Sequence, residues 1–130
     1  MKAKVSWQHG LSFKGETDSG KNIIMDGTGE AISPMESVLL AVGSCSSIDV
    51  VDILKKSRLD VQSCYCELAA ERAENAPRVF TKIHAHYVVA GDKLTDKNVA
   101  RAVQLSAEKY CSVMLMLTGN VEITTSYAIV

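Results

Sequence analysis

The chain is organised around residues 33–56, which read SPMESVLLAVGSCSSIDVVDILKK. Ser33 followed by Pro34 is a typical helix start, because a serine hydroxyl can cap a free N–H and proline at the first helical position has none to lose. No further proline comes before Lys55 and Lys56, whose positive charges suit the end of a helix. The sequence therefore predicts one helix of about 30 Å over these residues.

The apolar residues of this helix are spread around its whole circumference. Such a helix either spans a membrane or lies deep inside a protein. Glu36, Asp49 and Asp52, together with the small residues at 43–47, argue against a bilayer. We expect a central core helix, and since one small sheet and one other helix cannot cover all its sides, we also expect an obligate homodimer.

Length and charge narrow the class of protein. With 130 residues the chain predicts a single domain, residues 1–130, and its net charge of −1 gives no reason to expect nucleic acid or a membrane surface as a partner. The first residues, MKAKVSW, lack the apolar core of a signal peptide. We therefore expect a cytoplasmic protein with four reduced cysteines, in which any disulfide is transient and chemical in purpose. No cofactor is expected.

Alternating apolar and polar residues predict the strands. Three short ones precede the helix as an antiparallel meander, and a hairpin and a closing strand follow it, at Ala3–Trp7, Leu11–Lys14, Asn22–Asp26, Leu59–Arg72, Val79–Ala90 and Val121–Ile129. A second long helix is predicted between the hairpin and the last strand, from Thr95 to Leu117. The expected fold class is α+β, with two long helices on a mainly antiparallel sheet.

Two pairs of residues resemble metal ligands only weakly. Cys64 and Cys66 share one strand face, as do His84 and His86 on the next strand. A thiolate site needs two further ligands, which the sequence does not supply in any paired motif. We expect core packing for the cysteines and a solvated face for the histidines, and a Cys/His metal protein is the least favoured class.

Cys45 and Cys111 remain, one on each predicted helix. Each alone could be a small buried apolar residue. Two thiols that meet in space, however, form the unit of disulfide-based peroxide reduction, in which one becomes a sulfenic acid and the other condenses with it.

The run PMESVLLAVGSC, from Pro34 to Cys45, with a second cysteine at Cys111, resembles the OsmC/Ohr family of osmotically inducible and organic-hydroperoxide-resistance proteins. The resemblance implies an OsmC-like homodimer with intertwined sheets and active sites at the subunit interface. It implies that Cys45 is the peroxidatic thiol and Cys111 the resolving thiol. It also implies a peroxide substrate, typically a bulky organic one, and a dithiol or lipoyl-type reductant.

The chain departs from the family pattern around the thiol. The family's hydroperoxidases hold the thiolate with an arginine from the N-terminal strands and a glutamate directly after the proline. This chain has no arginine before Arg58, and it places Met35 at the glutamate position with Glu36 next. Nine residues put Glu36 and Cys45 about 180° apart on a straight helix. Glu36 and Lys14 are the supporting candidates, and Lys14 lies in the region that supplies the family's arginine.

Two functions stay open. The expected one is a thiol-dependent peroxidase, and the alternative is a non-enzymatic dimer of the same fold that binds or senses a small electrophilic or lipid-like ligand beside Cys45. Asp49, one turn after Cys45, disfavours a thiolate. Without a nearby cation, only helix dipoles and hydroxyls such as those of Ser44, Ser46 and Ser47 can help Cys45 ionise, and an unperturbed thiol has a pKa of about 8.5. We therefore expect turnover that is slow at pH 7 and rises with pH, unless Lys14, Lys21 or a lysine of a partner chain reaches the thiol.

Overall fold

Three antiparallel strands open the chain in the computed structural model, which describes all of residues 1–130. They are β1 (Ala3–His9), β2 (Ser12–Thr17) and β3 (Asn22–Asp26), paired in the order β1-β2-β3. This is the predicted meander. With the residues that follow, up to Leu40, these strands form the first of two compact units, and Ala41–Val130 form the second.

The apolar residues of β1 are exposed, so the prediction of a half-buried strand is wrong for this chain. Val5 is 61% exposed and Trp7 is 66% exposed. The alternation marks a face suited to burial, but no element of the chain covers it.

Helix α1 (Pro34–Lys56) begins and ends where the sequence predicts. The Ser33 N–H donates to Glu36 Oε1 at 3.0 Å, and the Glu36 N–H donates to Ser33 Oγ at 3.0 Å, which is a complete capping box. By length and composition α1 could cross a membrane, a test that core helices also pass. Its buried side chains share one stripe at four-residue spacing: Val42, Ser46, Val50 and Leu54.

Large apolar side chains elsewhere on α1 are exposed. Leu40 is 57% exposed and Ile48 is 68% exposed. The sequence predicts that α1 is buried on every side, but within a single chain only one side of the helix is fully buried. This helix, like β1, carries apolar surface that a second copy of the protein could bury.

The second unit contains a three-stranded sheet of β4 (Ser63–Arg72), β5 (Phe80–Ala90) and β6 (Glu122–Ile129). β4 pairs antiparallel with β5, and β6 pairs parallel with β5. A Cβ atom at Gly43 would lie 2.7 Å from Leu68 Cδ1, so the glycine lets a β4 side chain pack against α1. The two sheets and the helices give the predicted α+β class.

The predicted second long helix is interrupted. The chain forms α2 (Asp96–Leu105), a turn of π-helix (Ser106–Tyr110, the π-turn) and α3 (Ser112–Leu117). Thr95 caps α2 as predicted, accepting the Asn98 N–H at 3.2 Å. Cys111 is extended, with φ −73° and ψ 99°, and its N–H donates to the Ser106 carbonyl at 2.8 Å. A continuous helix from Thr95 to Leu117 is therefore wrong, and the break falls at Cys111.

Candidate functional site

Buried polar contacts at Ser46, the residue after Cys45, join α1 to β5. The Ser46 hydroxyl donates to the Val42 carbonyl at 2.7 Å and accepts from the Tyr87 hydroxyl at 2.6 Å. Ser46 and Tyr87 are both fully buried. This network gives a physical reason for a serine in a helix interior, where serine is otherwise a poor choice. Cys45, the preceding residue, is half-buried.

Cys111 is fully buried where the π-turn ends and α3 begins. Its Sγ accepts the N–H of Met114 at 3.4 Å, so the thiol caps the N-terminus of α3. The break in the helix thus serves to turn the Cys111 side chain toward the first turn of α3. A cysteine inside a continuous helix could not cap in this way.

The structure brings Cys45 and Cys111 together. Cys45 Sγ lies 3.9 Å from the hydroxyl of Ser112, the residue next to Cys111, and each thiol is near enough to the other to shift its pKa. The residues come from α1 and from the start of α3, 66 positions apart in the sequence. A disulfide between them needs the two sulfurs to approach to bonding distance.

Backbone hydrogen bonding sets the acidity of Cys45. The Val113 N–H is the largest cause and lowers the pKa, burial raises it, and the Cys111 thiol and Ser112 hydroxyl lower it further. The net result is a pKa below the ordinary thiol value, so the prediction of an unshifted thiol is wrong. The negative charge of Asp49 raises the pKa, as its position one turn away predicts.

Burial acts on Cys111 in the opposite direction. It raises the Cys111 pKa to about 11, and the neighbouring Cys45 and Asp49 add to the effect, while the Met114 N–H opposes it. Cys45 is therefore the thiol that ionises first, and Cys111 stays protonated at neutral pH. The pair combines one activated thiol with one neutral thiol.

Lys14 and Glu36 have local partners within the first unit. Lys14 Nζ lies 3.3 Å from Glu16 Oε1. The Glu36 carboxylate belongs to the capping box, and the Ser33 N–H and hydroxyl lower its pKa. The capping box explains Glu36 without any role at a thiol. A supporting role at Cys45 stays a prediction for both residues.

Cys64 and Cys66 point to one face of β4 and are half-buried. Burial raises the pKa of both thiols, and that of Cys66 reaches about 11. Cys64 lines a groove of about 430 Å³ together with Ser47 and residues of the following α1 turns. Neither thiol has the donor set that lowers the pKa of Cys45, which agrees with their predicted structural role.

The two histidines of β5 are held by hydroxyl groups of β6. The His84 ring bonds to Thr124 Oγ1 at 2.6 Å and to Ser126 Oγ at 2.8 Å, and His86 Nδ1 bonds to Ser126 Oγ at 2.7 Å. They lie half-buried rather than on a fully solvated face. No group of three His, Cys, Asp or Glu side chains in the chain is placed to hold a metal ion.

Sequence reasoning missed the donors at residues 112–113. A backbone N–H has no residue signature, so the Val113 contribution was not visible in the sequence. The only signal was the pair Cys111-Ser112, in which a residue able to cap precedes a short apolar helix.

Replacing Asp49 with asparagine is expected to lower the pKa of Cys45, because the substitution removes the one negative charge that raises it. The thiolate fraction at pH 7 then rises, and alkylation of Cys45 by iodoacetamide becomes faster at that pH. The pH profile of alkylation, read by mass spectrometry of the Cys45 peptide, measures the shift. The matched control is Asp52→Asn, whose carboxylate pairs with Lys56 at 2.6 Å. An unchanged profile in Asp49→Asn would contradict the electrostatic account.

Comparison with known proteins gives one family. Residues 27–126 match the family model of OsmC-like proteins. Protein YhfA of Escherichia coli K12 is 57% identical over 132 residues, which is 100% of this chain and 98% of that protein. The crystal structure of a hypothetical protein from Aquifex aeolicus has a TM-score of 0.91 at 32% identity, covering 99% of this chain and 95% of that one. An organic hydroperoxide resistance protein OsmC from Legionella pneumophila has a TM-score of 0.74 at 16% identity, over 98% and 95% of the two chains.

Proposed function

The chain belongs to the family of OsmC-like proteins, and from that premise we propose that it is a thiol-dependent peroxidase that reduces organic or hydrogen peroxides through Cys45 and Cys111. The observation that carries the proposal is the proximity of these two residues, with Cys45 Sγ 3.9 Å from the hydroxyl of Ser112 next to Cys111, together with the opposite shifts of the two thiol pKa values. A low-pKa thiol beside a neutral one is the arrangement that a peroxidatic and a resolving cysteine require. The name of the Legionella pneumophila neighbour agrees with this chemistry.

The proposed cycle begins with the Cys45 thiolate. It attacks the terminal oxygen of the hydroperoxide, the O–O bond breaks, and the alcohol leaves after the alkoxide takes up a proton. Cys45 is then a sulfenic acid. The protonated Cys111 thiol condenses with it to give the Cys45–Cys111 disulfide and one water. An external dithiol, of the lipoyl type or another, reduces the disulfide and is itself oxidised to a disulfide.

The donors around Cys45 fit the first step of this cycle. The Val113 N–H and the Ser112 hydroxyl favour the thiolate over the thiol. They take the place of the family's arginine as the source of a lowered pKa within this chain. A thiol with a lowered pKa is still partly protonated at acidic pH. The rate should therefore rise with pH until Cys45 is fully ionised.

We also propose that the working unit is a homodimer in the cytoplasm, where thiols are kept reduced. Exposed apolar side chains in both units support a dimer, among them Trp7 at 66%, Ile48 at 68% and Met116 at 73%. A soluble monomer rarely leaves this much apolar surface uncovered. Sedimentation at micromolar concentration should show a dimer, and a stable folded monomer would refute this part of the proposal.

The test of function is peroxide consumption by the purified wild-type chain with cumene hydroperoxide and dihydrolipoamide, followed from pH 5 to pH 9. The proposal expects catalytic turnover whose rate follows the ionisation of Cys45, measured in parallel by alkylation. Hydrogen peroxide in place of cumene hydroperoxide tests the preference for an organic substrate. No consumption at any pH would refute the peroxidase and favour the ligand-binding alternative.

Lys14 is proposed as a supporting cation in the assembled dimer. Lys14→Met is then expected to raise the pKa of Cys45 and slow peroxide reduction, because a positive charge near a thiolate stabilises it. Lys14→Arg should preserve or improve the rate. Lys4→Met, on the neighbouring strand β1, is the matched control. A pKa of Cys45 that is the same in all three variants would exclude Lys14 and leave the Val113 amide as the source.

A further inference from the structure

We propose that Asp49 and Ser106 form a clamp that holds the π-turn against α1, so that Cys111 stays within reach of Cys45. Both are positioning residues, because neither forms a bond in the reaction. The inference rests on the proposed two-cysteine cycle, which needs the two sulfurs to meet once Cys45 has become a sulfenic acid.

The side chain of Ser106 ties the π-turn to α1. Ser106 is fully buried, and its hydroxyl lies 3.0 Å from Asp49 Oδ2 and 3.3 Å from the Ser46 carbonyl. The Ser106 hydroxyl has a single hydrogen to donate, and the shorter of its two contacts is the one to the Asp49 carboxylate. We therefore assign the hydrogen bond to Asp49, where the charged acceptor makes it a charge-assisted bond. Bonds of this kind are stronger than those between neutral groups.

The backbone of Ser106 ties the same residue to Cys111. Its carbonyl accepts the Cys111 N–H at 2.8 Å, the five-residue bond that defines the π-turn. Asp49 stands four residues after Cys45, so both project from the same side of α1, one turn apart. The Asp49 carboxylate therefore holds the π-turn, which leads into Cys111, within one helical turn of Cys45.

The clamp explains why Asp49 stands at a position where its negative charge is unfavourable for ionisation of the two thiols. The charge of Asp49 opposes ionisation of both Cys45 and Cys111. An uncharged residue would favour the nucleophile more, so the position needs another reason. Holding Ser106 supplies that reason, and π-turns of this type are frequent at functional sites.

The test measures how readily Cys45 and Cys111 pair, without any peroxide. Each variant of the full chain is equilibrated at pH 7 with mixtures of reduced and oxidised dithiothreitol, and the fraction with the Cys45–Cys111 disulfide is read by mass spectrometry. The ratio of protein disulfide to protein dithiol, compared with the ratio of oxidised to reduced dithiothreitol, gives the effective concentration of one thiol for the other. The variants are Ser106→Ala, Asp49→Ala, the two combined, and Asp49→Asn, which keeps an oxygen acceptor. Ser46→Ala is the control, because it also removes a fully buried serine hydroxyl.

The clamp predicts that Ser106→Ala and Asp49→Ala each lower the effective concentration about tenfold, as expected for losing one hydrogen bond to a charged group. The double variant should lose no more than either single one, because both remove the same bond. Asp49→Asn and Ser46→Ala should stay within about threefold of wild type, although urea unfolding is expected to show Ser46→Ala to be less stable.

Two results would overturn the clamp. One is an unchanged effective concentration in Ser106→Ala, and the other is an equal loss in Ser106→Ala and Ser46→Ala, which would reduce the effect to general destabilisation. Peroxide consumption by the same wild-type sample separates the two proposals. A wild type that consumes no peroxide, while its variants follow the predicted order, refutes the peroxidase and supports the clamp.

Discussion

Replacing Cys45 with serine is expected to reduce peroxide consumption to the rate measured without protein, a loss of at least about a hundredfold. The thiolate is the attacking group, and a serine hydroxyl does not ionise in the range where Cys45 does. The Val113 N–H and the Ser112 hydroxyl would then favour an anion that serine does not form. The measurement is the rate of cumene hydroperoxide loss with dihydrolipoamide as donor.

The control is the double variant Cys64→Ser and Cys66→Ser. Both thiols have raised pKa values caused by burial, so neither should contribute a nucleophile. We expect this variant to keep the wild-type rate within about twofold. If it loses activity while Cys45→Ser retains it, the assignment of the peroxidatic thiol is wrong.

Replacing Cys111 with serine should separate the first turnover from the following ones. Cys45 still attacks the peroxide, but its sulfenic acid has no internal thiol to condense with. Sustained turnover with the dithiol donor is expected to fall at least about tenfold, and repeated doses of peroxide should over-oxidise Cys45 to the sulfinic acid. A sulfenic-acid-specific label and mass spectrometry of the Cys45 peptide follow both products.

Serine is the appropriate replacement because Cys111 also has a structural role. Its sulfur accepts the Met114 N–H and caps α3, and a serine oxygen can accept the same bond. Cys111→Ala removes this cap and should cost about 1 kcal/mol of stability relative to the serine variant. Full turnover in Cys111→Ser, with the fold intact, would show that an external thiol resolves the sulfenic acid directly.

Much of the fold could be predicted because its signals are local. The capping pair Ser33 and Glu36, the alternation in the strands and the cap at Thr95 each act through neighbouring residues. The π-turn was not predictable, because the apolar spacing of residues 95–117 is compatible with one continuous helix. The helix breaks where the backbone of Cys111 becomes extended after the π-turn, a backbone feature that the residue types at these positions do not reveal.

Only the part of the site that consists of side chains could be predicted from the sequence. That Cys45 and Cys111 could meet followed from their thiols and from the family pattern, and the structure places Cys45 Sγ 3.9 Å from the hydroxyl of Ser112, which follows Cys111. The Val113 N–H belongs to the backbone, and it approaches Cys45 only because the helix breaks at Cys111, which the sequence pattern does not predict. The exposure of Trp7 shows the remaining limit, because alternation predicts a face suited to burial but not whether the chain itself supplies the element that covers it.

The most direct test of the central claim is peptide mapping of the wild-type protein after one equivalent of cumene hydroperoxide, without any external reductant. The account predicts a single new disulfide, between Cys45 and Cys111, which dihydrolipoamide reverses, while Cys64 and Cys66 stay reduced. A Cys64–Cys66 disulfide, or no disulfide at all after the peroxide has been added, would contradict the two-cysteine mechanism.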